Sequence, residues 1–369
     1  MYNNNEILHI RRIVMDNLSE IAQHFALDYD AESYGNGHIN DTYLISGKQY
    51  ILQRINTDVF KKPDEVMENI VRITSFLRNE IIKSGGDPDR ETMTVIPTVD
   101  GKNYYMTPSG NCYRVYKFIS NAVSYDVVEN PNQLYEAARA FGKFQKLLSG
   151  FPANELHETI LRFHDTYKRF CDLKAAVSAD VMHRAASVER ELEFAYRFED
   201  ETKIICDLMN KGELPIRVTH NDTKLNNVML EAGTDKGLCV IDLDTVMPGS
   251  LLFDYGDALR TGAATAPEDE KDLSKMTIDL DLYRIFTRGF LTACPGLTEN
   301  ERKALPLGAL TMTLECGIRF LTDYLDGDHY FGIHYPEHNL DRARTQFKLV
   351  SEMEKHWDAM AKIVEEETK

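Results

Sequence analysis

The sequence predicts an α+β chain of two lobes, an antiparallel sheet followed by a larger, mostly helical part. Three observations carry this reading. Up to about residue 119, short runs of β-branched and aromatic residues alternate with glycine-bearing turns around one long helical pattern. From Ser120 onward, apolar residues recur at helical spacing over most of the chain. A hairpin pattern at 217–245 interrupts those helices and gathers acid, amide and ammonium side chains at its mouth. The lobes are accordingly 1–119 and 120–369.

Taken in order, Ile7, Ile10, Val14, Leu18, Ile21 and Phe25 form one apolar stripe, so 6–27 reads as one or two helices. The segment Tyr34–Ile45 carries Gly35 and Gly37, with Asn40 where a third glycine would stand. Glycine and asparagine tolerate positive φ, which suits a strand–turn–strand whose amides cover phosphates. A plain hairpin turn has the same composition. Ser46-Gly47-Lys48 is a turn, and 49–55 a strand whose alternation sets Tyr50, Leu52 and Arg54 on one face. Pro63, Asp64 and Glu65 open a helix through Met67, Ile70, Ile73, Leu77 and Ile81. Gly85-Gly86-Asp87-Pro88 ends it. Strand runs at 94–98, 103–106 and 112–119 complete the sheet. Leu134, Ala137, Ala138, Phe141, Phe144 and Leu148 then make an amphipathic helix closed by Gly150. Further helices fall at 156–211, 272–292 and 301–324. His157, His164 and His183 lie too far apart for a metal site and read as surface or helix-packing residues.

The hairpin carries the chemistry. Val228-Met229-Leu230 and Leu238-Cys239-Val240-Ile241 read as short buried strands, with a turn at 231–237 between them. Asp222 precedes Asn227 by five residues, the spacing of His-x-Asp-x-x-x-x-Asn, in which the acid takes a hydroxyl proton and the amide oxygen binds a metal. Asp242 follows the second strand, and Asp244 is a second carboxylate beside it. Hard oxygen donors of this kind suit Mg²⁺. Lys224 stands where an ammonium would neutralise charge on a phosphoryl group. The ordered set points to phosphoryl transfer; any one residue alone would read as a capped turn or a loop acid.

His220–Asn227 with Ile241–Thr245, and Phe253–Arg260 downstream, resemble the aminoglycoside phosphotransferase and choline kinase superfamily, and within it the N-acetylhexosamine 1-kinase group. The likeness runs from about Tyr34 to Trp357. It implies a protein-kinase-like bilobal fold, with an antiparallel-sheet N-lobe, a mostly helical C-lobe and ATP between them. Gly35 and Gly37 would belong to a phosphate-covering loop, with His38 and Asn40 reaching the nucleotide or the sugar. Arg54 would be the cation for the α- and β-phosphates, partnered by Glu65 or Glu68, and Leu52 would lie against adenine. Lys117, Phe118 and Ile119 would form the hinge. Asp222 would be the catalytic base with Lys224 beside it, and Asn227, Asp242 and Asp244 would hold Mg²⁺. Asp254 would buttress the catalytic loop. Asp222, Asp257, Arg319, Tyr330 and Trp357 would line the acceptor pocket, for the anomeric hydroxyl of a small-molecule sugar, N-acetylglucosamine or N-acetylgalactosamine. Another small alcohol, such as an aminoglycoside or choline, is the alternative acceptor. A nucleotide-binding pseudokinase scaffold is the reading from another class, and intact Asp222, Asn227 and Asp242 speak against it.

Length and composition bound these expectations. A chain of 369 residues with 43% hydrophobic and 27% charged residues can bury two sizeable cores. A net charge of -17 argues against nucleic acid or an anionic membrane as partner. The segment Met1–Glu6 is polar, so no signal peptide is expected, nor a membrane span. Six scattered cysteines read as reduced thiols in a cytoplasmic protein.

Overall fold

β-Branched and aromatic residues at 41–45, 50–55 and 112–117 build the sheet of the smaller of two units into which the chain divides. The structure is a computed structural model that describes residues 16–30, 32–34 and 40–369. The smaller unit comprises Met1–Pro63 and Thr94–Ile119. It holds α1 (Leu18–Gln23), β1 (Glu32–Ser33), β2 (Asp41–Ile45), β3 (Tyr50–Ile55), β4 (Val95–Ile96), β5 (Tyr105–Met106) and β6 (Cys112–Lys117). All pairs are antiparallel in the order β1-β2-β3-β6-β4, with β5 also on β6.

The turn between β2 and β3 puts Ser46, Gly47 and Lys48 all at positive φ, which sets the register Ile45↔Tyr50 and hence Asp41↔Arg54. Tyr43, Leu52 and Val115 align across three strands. Ile21 and Ala22 of α1, with Phe25 just beyond it, pack into the same core, which also takes Leu18 at its edge. Of the long helical stripe expected over 6–27, the described part is α1; residues 1–15 lie outside the described set, as do Gly35, Gly37 and His38 of the glycine loop.

The larger unit comprises Asp64–Met93 and Ser120–Lys369. The long helix expected within the first lobe, α2 (Pro63–Lys83), therefore groups with the larger unit from Asp64 onward. The reason is visible at Asn69, which is buried and exchanges hydrogen bonds with the backbone of His157 (Nδ2 to O, 2.9 Å; N to Oδ1, 2.9 Å) and donates to Val246 O at 3.1 Å.

Then come α3 (Pro88–Glu91), β7 (Ala122–Val123), α4 (Pro131–Leu147), α5 (Thr166–Ala179), α6 (Glu189–Tyr196) and α7 (Ile204–Asn210). Next are β8 (Arg217–Thr219), β9 (Val228–Glu231), β10 (Gly237–Val240) and β11 (Met247–Gly249). Helices α8 (Leu251–Gly262), α9 (Leu280–Ala293), α10 (Glu299–Asp326), α11 (His338–Lys355) and α12 (Trp357–Glu367) complete the unit. The expected hairpin is β9–β10, extended by β7, and β8 pairs with β11.

Helix α10 starts at a capping box, Thr298 with Glu301, and Glu301 also takes a bidentate contact from Arg217 at 2.5 and 2.8 Å. It is long and apolar enough to cross a membrane, a span the sequence reading did not foresee. Yet 83% of its apolar window is buried inside the protein, as befits a core helix. It crosses α8 at two glycines. A Cβ at Gly256 would collide with the Gly308 carbonyl oxygen and stand 2.8 Å from Met312 Cγ; one at Gly308 would lie 2.7 Å from Leu252 O. The backbones touch because neither helix has a side chain there.

Gly256→Ala should therefore cost about 1–3 kcal/mol through overpacking, against the usual helix gain of alanine. Thermal melting followed by circular dichroism checks this, and an unchanged or raised Tm would remove the crossing as a packing constraint.

Candidate active site

The segment between β8 and β9 is short, so its residues are held by side chains from elsewhere. Asp254, on the first turn of α8 and 2% exposed, accepts the amides of His220 (2.9 Å) and Asn221 (2.8 Å) on its two oxygens. Gln145 Nε2 donates to the same carboxylate at 2.7 Å, and Thr223 Oγ1 donates to the Asp254 carbonyl at 2.6 Å. Burial pushes the Asp254 carboxyl above its ordinary range; His220 and the two amides oppose that. Asn221 sits at φ +66° and can do so because its side chain donates to Thr245 O at 2.8 Å. Thr245 Oγ1 returns a bond to His220 O at 2.6 Å. His220 Nε2 faces the Ile241 carbonyl at 2.8 Å, which only accepts, and its Nδ1 receives the Asp222 amide at 3.3 Å.

Asp222 emerges from this frame with its oxygens divided. Oδ1 lies 3.3 Å from Lys224 Nζ, and Oδ2 accepts Asn227 Nδ2 at 3.1 Å. The Asp222 charge raises the Lys224 pKa against the effect of burial, keeping a half-exposed ammonium beside the acid. Asn227 Nδ2 also donates to Asp222 O at 2.8 Å, so both amide hydrogens are engaged and Oδ1 is the atom that would meet a cation. Across the hairpin, Asp242 stands at φ +58° and leads a turn that contains buried Asp244. Ile241 N bonds Asn227 O at 2.9 Å and fixes the hairpin ends together. Among the described residues no three His, Cys, Asp or Glu side chains converge on a metal position. One amide oxygen with one or two carboxylates is a different donor set, the sparse one that suits Mg²⁺ completed by water and phosphates.

Asp257, one turn along α8, accepts Thr223 N at 2.8 Å and Arg260 Nε at 3.0 Å. Arg260 also pairs with Glu268. The two oxygens of Asp257 thus serve the loop and Arg260. Burial pushes its carboxyl up, but Arg260 and Lys224 outweigh burial and hold it below the ordinary range.

Behind the loop lies a group that the sequence reading assigned to surface or packing. His164 is 4% exposed at its side chain; Nε2 meets Asn221 O at 3.1 Å and Nδ1 meets Glu315 Oε1 at 2.8 Å. Thr166 Oγ1 donates to Glu315 Oε2 at 2.7 Å. The only sequence signal for this pair is that Glu315 stands one helical turn before Arg319. By contrast His157 contacts Glu68 at 2.9 Å, and His183 is exposed.

Arg319 and Tyr330 come together, with Arg319 Nη2 3.3 Å from the Tyr330 hydroxyl. The guanidinium lies 5.1 to 5.5 Å from the ring centres of Phe163, Phe331 and Tyr330. Arg319, Tyr330 and Phe331 border a cavity of about 490 Å³ between α5 and α10, into which Arg169, Asp172 and Asp326 also face. Arg169, unforeseen from sequence, is held by Phe163 O; burial and the charge of Arg319 lower its pKa. Asp323 anchors the far wall by accepting the amides of His329, Tyr330 and Phe331. Trp357 begins α12, is 36% exposed and does not line this cavity.

The candidate nucleotide residues belong to the smaller unit. Arg54 is ion-paired to Asp41 (Nη2–Oδ2 2.5 Å), which the hairpin register sets opposite it. Glu68 pairs with Arg72 and His157. Leu52 is fully buried in the core that α1 covers. Asn40 caps the end of β3 by accepting Asn56 N at 3.0 Å. The amides of Lys117 and Phe118 bond Thr94 O and Gln49 O, so the chain is fixed in the sheet up to Ile119.

The depressed Asp257 carboxyl stabilises the fold above the ordinary carboxylate pKa, and that contribution is lost as pH falls through the depressed value. Asp257→Asn should lower Tm fully at pH 7, with the gap to the native protein closing below about pH 4. Scanning calorimetry from pH 8 downward checks it; a gap independent of pH would mean that the charge is not what Asp257 contributes.

Comparison with known proteins completes this picture. A model of the phosphotransferase enzyme family APH matches residues 30–277. An aminoglycoside phosphotransferase from Alicyclobacillus acidocaldarius superposes with TM-score 0.60 at 13% identity, over 94% of this chain and 96% of that one. A choline kinase from Cryptosporidium parvum gives 0.55 at 14%, over 90% and 91%. A spectinomycin phosphotransferase in complex with ADP and spectinomycin gives 0.51 at 14%, over 91% and 96%. The fold is therefore the protein-kinase-like α+β fold of these enzymes, and the chain belongs to the phosphotransferase enzyme family.

Proposed function

We propose that this phosphotransferase is an ATP- and Mg²⁺-dependent small-molecule kinase that phosphorylates the anomeric hydroxyl of an N-acetylhexosamine to give the sugar 1-phosphate. Asp222 accepts the proton of the attacking hydroxyl, a new O–P bond forms to the γ-phosphorus, and ADP leaves as the bond to its β-phosphate oxygen breaks. The neighbour bound to ADP supports an adenine nucleotide as donor. Asn227 Oδ1, Asp242 and Asp244 are the residues that would hold Mg²⁺, which would supply charge neutralisation on the phosphates. Lys224, already at Asp222, is placed to follow the transferred group.

One observation carries the acceptor reading: Arg319 fills the space over Phe163, Tyr330 and Phe331. Aromatic faces of this kind are how proteins bind quaternary ammonium groups. Here the chain's own guanidinium occupies them, and a choline-like cation would meet like charge. A neutral polyol with an amide carbonyl suits the site better, since Arg319 offers donors, Asp326 and Asp172 accept hydroxyls, and the cavity volume is that of an ordinary ligand site. The same two carboxylates favour a second reading, an aminoglycoside-like amine bound on the α5–α10 side.

A coupled ADP-release assay with ATP and Mg²⁺ separates these, using N-acetylglucosamine, N-acetylgalactosamine, galactose, glucose, choline and kanamycin, with phosphorus NMR of the product. The expected result is a sugar 1-phosphate from an N-acetylhexosamine and no turnover of choline. Turnover of kanamycin alone would replace the sugar reading by the amine reading. Asp222→Asn should lower kcat on the order of 10²-fold or more with ADP affinity retained; native-like turnover would sink Asp222 as base.

A further inference from the structure

The peptide plane between Asn221 and Asp222 is gripped from both sides. Its carbonyl, on Asn221, receives His164 Nε2 at 3.1 Å, and its N–H, on Asp222, donates to His220 Nδ1 at 3.3 Å. From this geometry we infer that His164, held by Glu315, is a positioning residue for phosphoryl transfer, setting the aim of the Asp222 carboxylate by fixing the peptide that precedes it. The inference rests on Asp222 being the base.

The chemistry of His164 follows from its partners. A backbone carbonyl only accepts, so Nε2 carries a hydrogen. Nδ1 faces Glu315 Oε1, whose second oxygen already takes the Thr166 hydroxyl. The two ring nitrogens thus each meet an oxygen, Nε2 a carbonyl and Nδ1 the Glu315 carboxyl group. Burial would push the Glu315 carboxyl up, yet the charge and hydrogen bond of His164 hold it below the ordinary range. A donor locked by a second hydrogen bond holds a carbonyl in one place. Asn221 needs that grip, because it holds a left-handed conformation.

The other end of the device reaches the candidate acceptor cavity. Phe163, the residue before His164, lies under the Arg319 guanidinium. Glu315 stands one turn before Arg319 on α10, close enough for their charges to act on each other. The same short stretch thus holds the peptide before the base and packs under Arg319, a residue of the cavity wall. A misplacement of about 1 Å at a reacting group can cost about 10²-fold in rate, which is the scale at issue.

The test compares two variants of nearly equal volume that differ in one donor. His164→Leu and His164→Gln are each combined with Glu315→Gln, so that neither strands a buried carboxylate. The glutamine amide can donate to Asn221 O; leucine cannot. Expected is a kcat about 10²-fold below native for the leucine variant, with KM for ATP and acceptor within about threefold, and at least tenfold recovery with glutamine. Equal kcat in the two variants, whether low or native-like, overturns the inference. A second readout does not need turnover: amide exchange of Asp222 and Thr223 followed by NMR should be at least tenfold faster in the leucine variant than in the glutamine variant. If the native protein turns over no acceptor, the kinase reading fails by itself, while equal exchange in the two variants would separately sink the clamp.

Discussion

Everything at the candidate site depends on one carboxylate accepting two consecutive backbone amides. Asp254 takes the N–H groups of His220 and Asn221 and is taken in turn by Gln145. That contact pins a loop with too few residues to hold itself, and it does so from the first turn of a helix whose backbone touches α10. A loop bound in this way has its amides satisfied before any ligand arrives. The side chains that project from it, Asp222, Lys224 and Asn227, then bond to one another.

Three acids around the loop face a basic side chain, while buried Asp254 is met by amide donors. Asp222 faces Lys224, Asp257 faces Arg260, and Glu315 faces His164. Buried charges are tolerated only with such partners, and breaking a pair costs more than the pair contributes. The loop is therefore specified by electrostatics that forbid alternatives, more than by apolar packing. Arg319 extends the same logic to the cavity, where aromatic faces take the place of a carboxylate.

What could be read in the sequence was what is local. The Asp222, Asn227 and Asp242 spacing lies within one hairpin, so its geometry follows from a few φ/ψ choices. Helix α4 announced itself by the period of its apolar stripe. The Asp41–Arg54 pair was legible in principle, since a turn at 46–49 fixes that register, but a strand was weighed there without its partner. His164 and Glu315 were not legible: they are separated by 151 residues and meet only because α5 and α10 pack together. For the same reason Asp64–Met93 sits with the helical unit, through Asn69 contacts that span 88 and 177 residues. Trp357, chosen as an aromatic face for a sugar, belongs to a helix packed on α9 and α10 away from the cavity wall.

The neutral pairing near the loop bears on how ligands arrive. Asp222 and Asp257 each face a cation, so these two add little to the net charge of -17. An anionic nucleotide diffusing in from bulk water meets a repulsive far field, and finds balanced charge only at close range. Dissolved salt shortens the reach of that field, to roughly 8 Å at physiological ionic strength. Encounter with a polyanion should accordingly quicken as salt is added, opposite to the behaviour of proteins that steer such ligands by attraction.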